Sequence, residues 1–288
     1  MKISTRLIVV LACAGLQTFA WSQQEAETLD EVVLTDSRFA LKKENSGKQI
    51  ITISRETLSR NQGNSLASVI NQQSGITING SQSVAGQPLG TFIRGGNNRQ
   101  VLVLIDGVAL SDPSTIANEF DLRLLDINSI ESIEIIKGAA STLYGNSAAT
   151  AVINITTRKA DREAISAQLT AVAGTNEAQS QRNFSWNDFQ NHVQLSGTLN
   201  KLTYMASFGN QFTDGLSAVE DPMTNEKDRF SRYNSQFKLG YRFSEAFSLT
   251  LYGLQDFFKS AYDNSFPIAD APFDSRSEQY RGGLSGGL

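Results

Sequence analysis

The stretch GAASTLYGNSAATAVINITT (138–157) decides how this chain folds. Fifteen of its twenty residues are Gly, Ala, Ser, Thr or Asn, set around one large aromatic, Tyr144, before the apolar run AVINI. A phosphate loop, a flexible linker and a tightly packed turn all share that texture. The first is excluded, because no Gly-Lys-Ser/Thr follows to place a lysine on phosphates. Strand-like runs on both sides, SIEIIK (132–137) and AVINITT (151–157), favour the packed turn. There Gly145 permits a backbone that a Cβ would hinder, and Tyr144 fills the gap the small residues leave.

Around this stretch, residues 49–160 alternate short strands with short helices. QIITI (49–53) reads as a strand, and Leu66, Val69 and Ile70 form one apolar face of a short helix. GTFIRGG (90–96) is a strand ending in a glycine turn. VLVLIDG (101–107) is a strand apolar on both faces, closed by an Asp106-Gly107 turn. Asp126 is placed to cap one helical turn before a strand from Ser132 to Lys137. The spacing predicts one compact α+β domain, a mixed sheet with short helices.

Residues 161–288 follow a different rule. LTYMASFGNQFT (202–213) sets Leu202, Tyr204, Ala206, Phe208 and Phe212 opposite Thr203, Ser207, Gln211 and Thr213. RYNSQFKLGYRF (232–243) sets Tyr233, Phe237, Leu239, Tyr241 and Phe243 opposite Arg232, Asn234, Gln236, Lys238 and Arg242. Tight turns at 200–201 and 244–246 alternate with long connections at 214–229 and 259–276. Aromatic-rich outward faces with that asymmetry predict antiparallel strands of an outer-membrane β-barrel. A soluble antiparallel sheet alternates equally well and is the other reading.

The N-terminus, MKISTRLIVVLACAGLQTFAWS, has the basic start, apolar run and small-residue site of a signal peptide over 1–22. Residues 23–48 are polar apart from LDEVVLT (29–35) and read as a flexible segment. Cys13, the only cysteine, would leave with the signal peptide. Taking Lys2 and Arg6 from 25 basic residues leaves 23 against 29 acidic, a net charge of −6, so nucleic acid is not an expected partner. His192, the only histidine, stands alone, without a metal-ligating or Ser/His/Asp set, and reads as a solvated or lumen-facing strand residue. No catalytic site, metal site or covalently bound cofactor is expected.

FIRGGNNRQVLVLIDGVALSDPS (92–114) and SIESIEIIKGAASTLYGNSAATAVINITTRK (129–159) resemble the plug domain of TonB-dependent outer-membrane receptors. Among these the wording is most similar to cobalamin transporters, and 138–155 resembles versions from Bacteroidota. The resemblance implies a barrel of about 22 strands closed by the plug, in the outer membrane of a Gram-negative bacterium. It implies uptake of a scarce, large ligand, cobalamin or an iron chelate, with TonB, membrane lipid and that small molecule as partners. It makes Leu29, Asp30, Glu31, Val32, Val33, Leu34 and Thr35 a TonB box, which would pair as an added strand with its partner. Arg94 and Lys137 would lock plug to barrel, although Lys137 stands where an Arg is common and cannot pair bidentately. Loops 81–91 and 111–120 would meet the ligand through Ser83, Gly86, Gln87, Pro88, Leu89, Ser111 and Asp112. Being polar and small, with no cluster of Arg or Tyr, they favour a neutral, bulky ligand such as a corrinoid over a ferric catecholate. A ferric-siderophore receptor and a secreted, non-transporting binding module are the alternatives.

The 125 residues after 163 supply five strands and the start of a sixth, too few to close a barrel. The expectation is therefore an N-terminal part of a longer receptor. Ala149-Thr150-Ala151 stands where many members of that family carry glycines, which implies slightly roomier or stiffer packing there.

Overall fold

The computed structural model describes residues 32–33, 41–42, 48–113, 115, 118–140, 144–175, 185–216, 227–265 and 268–287. The expected signal peptide, and Leu29, Asp30, Glu31, Leu34 and Thr35 of the expected TonB box, lie outside these residues. Strand β1 (Val32–Val33) pairs antiparallel with β2 (Leu41–Lys42). There follow β3 (Gln49–Ile53), two helices (Arg55–Arg60 and Leu66–Asn71), β4 (Ile76–Asn79) and β5 (Gly90–Ile93). The mixed region is completed by β6 (Val101–Ile105), β7 (Val108–Leu110), β8 (Ile130–Lys137) and β9 (Ala151–Thr157).

Five strands form one sheet in the order β3-β8-β9-β6-β7, with β4 and β5 as a separate pair. Only β6 and β9 run parallel, in register from Val101↔Ala151 to Ile105↔Ile155. Every residue of β6 is buried, as its uninterrupted apolar run requires. One face of the sheet packs Val103, Ile133, Ile135 and Ile153 in a core shared with Leu58, Leu66, Val69 and Ile70 of the two helices. Ser54 and Ser65 start those helices by accepting from the backbone N–H of Thr57 and Ser68.

The other face carries a smaller cluster of Leu102, Leu104, Ile136 and Val152, covered by Ala140, Ala148 and the half-buried Tyr144. Ala140 and Ala148 thus lie over the sheet of their own domain, and Gly145 has a positive φ of 85°. Thr150 is tied by its Oγ1 to the Gln100 carbonyl at 3.1 Å. Asp126 does cap a short 3-10 turn, Ile127–Ser129. The next strand starts at Ile130, two residues before the expected Ser132, because a register shift lets Ile130 pair with Thr157.

The second sheet is antiparallel throughout and runs in chain order: β10 (Ser166–Gly174), β11 (Asp188–Leu199), β12 (Leu202–Thr213), β13 (Phe230–Arg242), β14 (Ser248–Ser265) and β15 (Ile268–Gly287). The expected long loop at 259–276 is instead drawn into β14 and β15, so the sixth strand is full length. Pro272 falls at the register shift between the Tyr262↔Phe273 and Asn264↔Ala269 pairs, an irregularity in which a missing N–H is tolerated.

The faces of this sheet are inverted relative to a water-soluble protein. Gln190, His192, Gln194 and Ser196 of β11, and Arg232, Asn234 and Gln236 of β13, are buried against the mixed region. Val193, Leu195, Phe237, Leu239 and Leu251 are exposed on the opposite face. Aromatic contacts mark two levels of that face: Phe208–Tyr233–Phe257, and Tyr241–Phe243–Phe247 near the short turns. Tyr233 and Tyr241 are eight residues apart on β13. At about 3.4 Å per residue and a tilt of about 40°, they stand about 21 Å apart along the membrane normal. That is close to the roughly 25 Å apolar band of a membrane barrel. In a bilayer, Phe237→Arg is expected to destabilise the full-length receptor by about 2–4 kcal/mol in urea unfolding from lipid vesicles.

Candidate functional site

Two Asp-capped 3-10 turns, Leu122–Leu124 and Ile127–Ser129, carry the segment that joins the two sheets. Their apolar residues Leu122, Leu124, Leu125 and Ile127 sink into the core. Carbonyls that such short turns leave unpaired need other donors. The inner face of the second sheet supplies them. Arg232 Nη1 donates to the Leu125 carbonyl at 2.6 Å, and Asn234 Nδ2 donates to that of Leu124.

At the centre of this interface is Asp126, whose side chain is 3% exposed. Its Oδ2 lies 2.7 Å from His192 Nδ1. Its Oδ1 accepts from Asn128 N at 3.1 Å and Gln190 Nε2 at 3.4 Å, with Arg232 Nη2 at 3.8 Å. Burial pushes the Asp126 carboxyl up, but the His192 hydrogen bond, the Arg232 charge and the Asn128 amide together hold it below its ordinary value of 3.8. Space for the carboxylate comes from Gly209, which pairs with His192 across the strands. A Cβ there would stand 2.6 Å from Asp126 Oδ2.

The network extends along the sheet. Asp256 accepts from Asn234 Nδ2 at 2.6 Å and is ion-paired with Arg281, whose guanidinium lies over the Phe120 ring at 5.8 Å. A second contact joins Asp106 to the Lys238 ammonium at 3.1 Å. Asp106 and Gly107 form the expected turn, with φ of 50° and 81°, and Asp106 also accepts from Thr157 N at 2.8 Å.

The two residues expected to lock the plug have the following partners among the described residues. Arg94 is exposed and donates to Gln49 Oε1 at 3.1 Å; Lys137 is buried and donates to the Ser74 carbonyl at 2.9 Å. Among the described residues neither has an acidic partner. His192, Arg232, Asp256 and Arg281 were legible only as polar positions on alternating strands. Nothing local to Asp126 announces that it meets them.

The expected ligand residues also separate. A cavity of about 590 Å3 opens between the plug loops and the ends of β11, β12 and β13 that carry the long connections. Ser83 and Leu89 line it, together with Arg123, Gln211, Thr213 and Phe230. Pro88 and Leu89 line a smaller cavity of about 180 Å3 against β6 and β9. Gln87 is exposed and packs over Gly80, whereas Gly86 is buried against Ser260 of β14. Ser111 and Asp112 line neither cavity; the Asp112 carbonyl accepts from Thr115 Oγ1 at 2.9 Å within its own turn.

Removing one member of a buried ion pair strands the other, so Asp126→Ala is expected to cost about 3–5 kcal/mol in urea unfolding of the full-length receptor. With its folded pKa below the unfolded value, Asp126 contributes stability that is complete above 3.8 and is lost as pH falls through the folded value. The stability gap between wild type and Asp126→Asn should therefore be largest near neutral pH and shrink below that point. Gly209→Ala should destabilise the wild type more than it destabilises Asp126→Ala, a coupling read by a double-mutant cycle.

The family model of the TonB-dependent receptor plug domain matches residues 42–152. The vitamin B12 transporter BtuB of Photobacterium profundum is 27% identical over 94% of this chain and 42% of its own length. That of Vibrio vulnificus is 29% identical over 78% of this chain and 35% of its own. The chain thus spans less than half the length of these relatives. The ferripyoverdine receptor of the Pseudomonas aeruginosa outer membrane superposes with a TM-score of 0.66, at 17% identity, over 89% of this chain and 33% of its own. The siderophore receptor PirA of Acinetobacter baumannii superposes at 0.58, with 19% identity, over 74% and 32%. These similarities accord with the mixed sheet followed by apolar-out antiparallel strands, and none is to an enzyme. Residues 42–152 are thus similar to the TonB-dependent receptor plug domain, and the mixed sheet with the antiparallel strands after it has the fold of the outer-membrane receptors on which it superposes.

Proposed function

We propose that this chain forms the plug and six strands of a longer outer-membrane receptor of a Gram-negative bacterium, which imports a bulky neutral ligand with energy from TonB. The strands β10 and β15 have unpaired outer edges among the described residues, which lipid does not tolerate without further strands. The exposed Phe, Leu and Tyr of the outward face speak against a secreted binding module, because a patch of that kind would associate in water. The TonB box at 29–35 is the segment that meets TonB, and its described part, Val32–Val33, is already a strand.

One observation carries the ligand class. The two guanidiniums lining the large cavity are both neutralised by plug carboxylates, Arg123 by Asp121 at 2.6 Å and Arg232 by Asp126 at 3.8 Å. Among the described residues that line it, no uncommitted arginine is offered to an anionic iron chelate. The remaining Ser, Thr and Gln side chains suit the amides of a corrinoid. The naming of two relatives as vitamin B12 transporters supports the same reading.

Isothermal titration of the full-length receptor with cobalamin and with ferric siderophores tests this. Cobalamin is expected to bind more tightly than micromolar and the chelates weakly; the reverse order would replace the ligand class. Gln211→Trp, which fills the cavity, should abolish cobalamin binding without changing the unfolding midpoint. Deletion of 29–35 should leave ligand affinity intact and remove both TonB capture and uptake.

A further inference from the structure

The two cavities share three lining residues, Leu89, Leu122 and Arg123, so the wall between them is a single layer of side chains. Arg123 holds that wall to three separate elements. Its Nε and Nη2 donate to Asp121 at 2.9 and 2.6 Å, its Nη1 donates to the Gly86 carbonyl, and its guanidinium stacks on Phe258 at 4.5 Å. Phe258 is an aromatic on the inner face of β14, between the polar Asp256 and Ser260, and is 1% exposed. Two residues further along the same strand, Ser260 fills the space beside Gly86, where a Cβ would overlap its hydroxyl. The tip of loop 81–91 is therefore gripped from the plug by Arg123 and from the barrel wall by Ser260.

We propose that Arg123 is a gating residue. Its clasp on Gly86 and Phe258 closes the passage from the outer cavity to the inner one, and the ligand advances only when that clasp opens. This rests on the importer reading above. The inner cavity, at about 180 Å3, is too small for the ligand as it stands, so passage requires loop 81–91 to leave the wall. A guanidinium suits such a clasp because its planar fork serves a carboxylate, a carbonyl and an aromatic face at once; a lysine ammonium cannot. The backbone and charge contacts are polar and release without exposing a large apolar surface.

The full-length receptor carrying Gly86→Cys and Ser260→Cys tests the clasp by fixing the loop tip to β14. In its oxidised form it should bind cobalamin as the wild type does, yet import none, with uptake returning on reduction. Import by the oxidised form at the wild-type rate would overturn the proposal. A second arm places a thiol in the inner cavity with Thr91→Cys and follows its modification by a small charged methanethiosulfonate. Addition of Arg123→Ala should accelerate that reaction, and Arg123→Lys should accelerate it less. Equal rates in all three backgrounds would overturn the clasp even if the cysteine pair failed to fold. Lack of TonB-dependent uptake by the wild type would remove the importer reading instead, so the two failures are distinguishable.

Discussion

A carboxylate out of reach of water, Asp126, sets the relation between plug and strands. Burial alone would drive it towards its neutral form, and His192 and Arg232 on the facing sheet, with the Asn128 amide of its own turn, keep it charged. Those partners cannot be satisfied without it either, since His192 and Arg232 lie on a face that is otherwise closed to solvent. The interface is thus mutual. The plug provides acceptors through its short turns, and the strands provide donors through their inner face. This explains why the segment Phe120–Ser129 is built of 3-10 turns: a longer helix would use those carbonyls internally and leave the strand donors without partners.

The same constraint accounts for the inverted sheet. A polar inner face is tolerable because the plug fills it, and an apolar outer face is tolerable only against hydrocarbon. Period-two alternation delivers both at once, so a slip of one residue in any strand would turn Arg232 or His192 outward and Phe237 or Val193 inward. The short turns at 200–201 and 243–247 fix that register at one end of the sheet.

Much of this was legible in the chain. VLVLI, SLASVIN and the alternation of 202–213 and 232–243 each carry a period that tertiary context did not override. The Asp126 cap and the Asp106-Gly107 turn could be read because their chemistry is local. What escaped was of two kinds. The helix Arg55–Arg60 has one buried apolar residue, Leu58, and so no periodicity to detect. The contacts between plug and strands described above join residues 64 to more than 100 positions apart, and neither spacing nor composition records such distances. Arg94 and Lys137 stood out because a charge at the end of an apolar run is conspicuous. Asp126, inside an ordinary LDINS, is not. The reading of 259–276 as a loop trusted its prolines, yet Pro272 sits at a register shift between β14 and β15, where a strand tolerates it.

Gly209 ties two distant parts of the chain into one inherited unit. Its missing side chain is the room that Asp126 occupies, so neither position can change freely while the other stays as it is. A lineage that acquired alanine at 209 before losing the acid at 126 would pass through a receptor with a misplaced plug. The opposite order strands Arg232 and His192 on a buried face without their carboxylate. Either order passes through a destabilised intermediate, so the acid at 126 and the glycine at 209 should persist together or change together, a pairing across 83 positions of sequence.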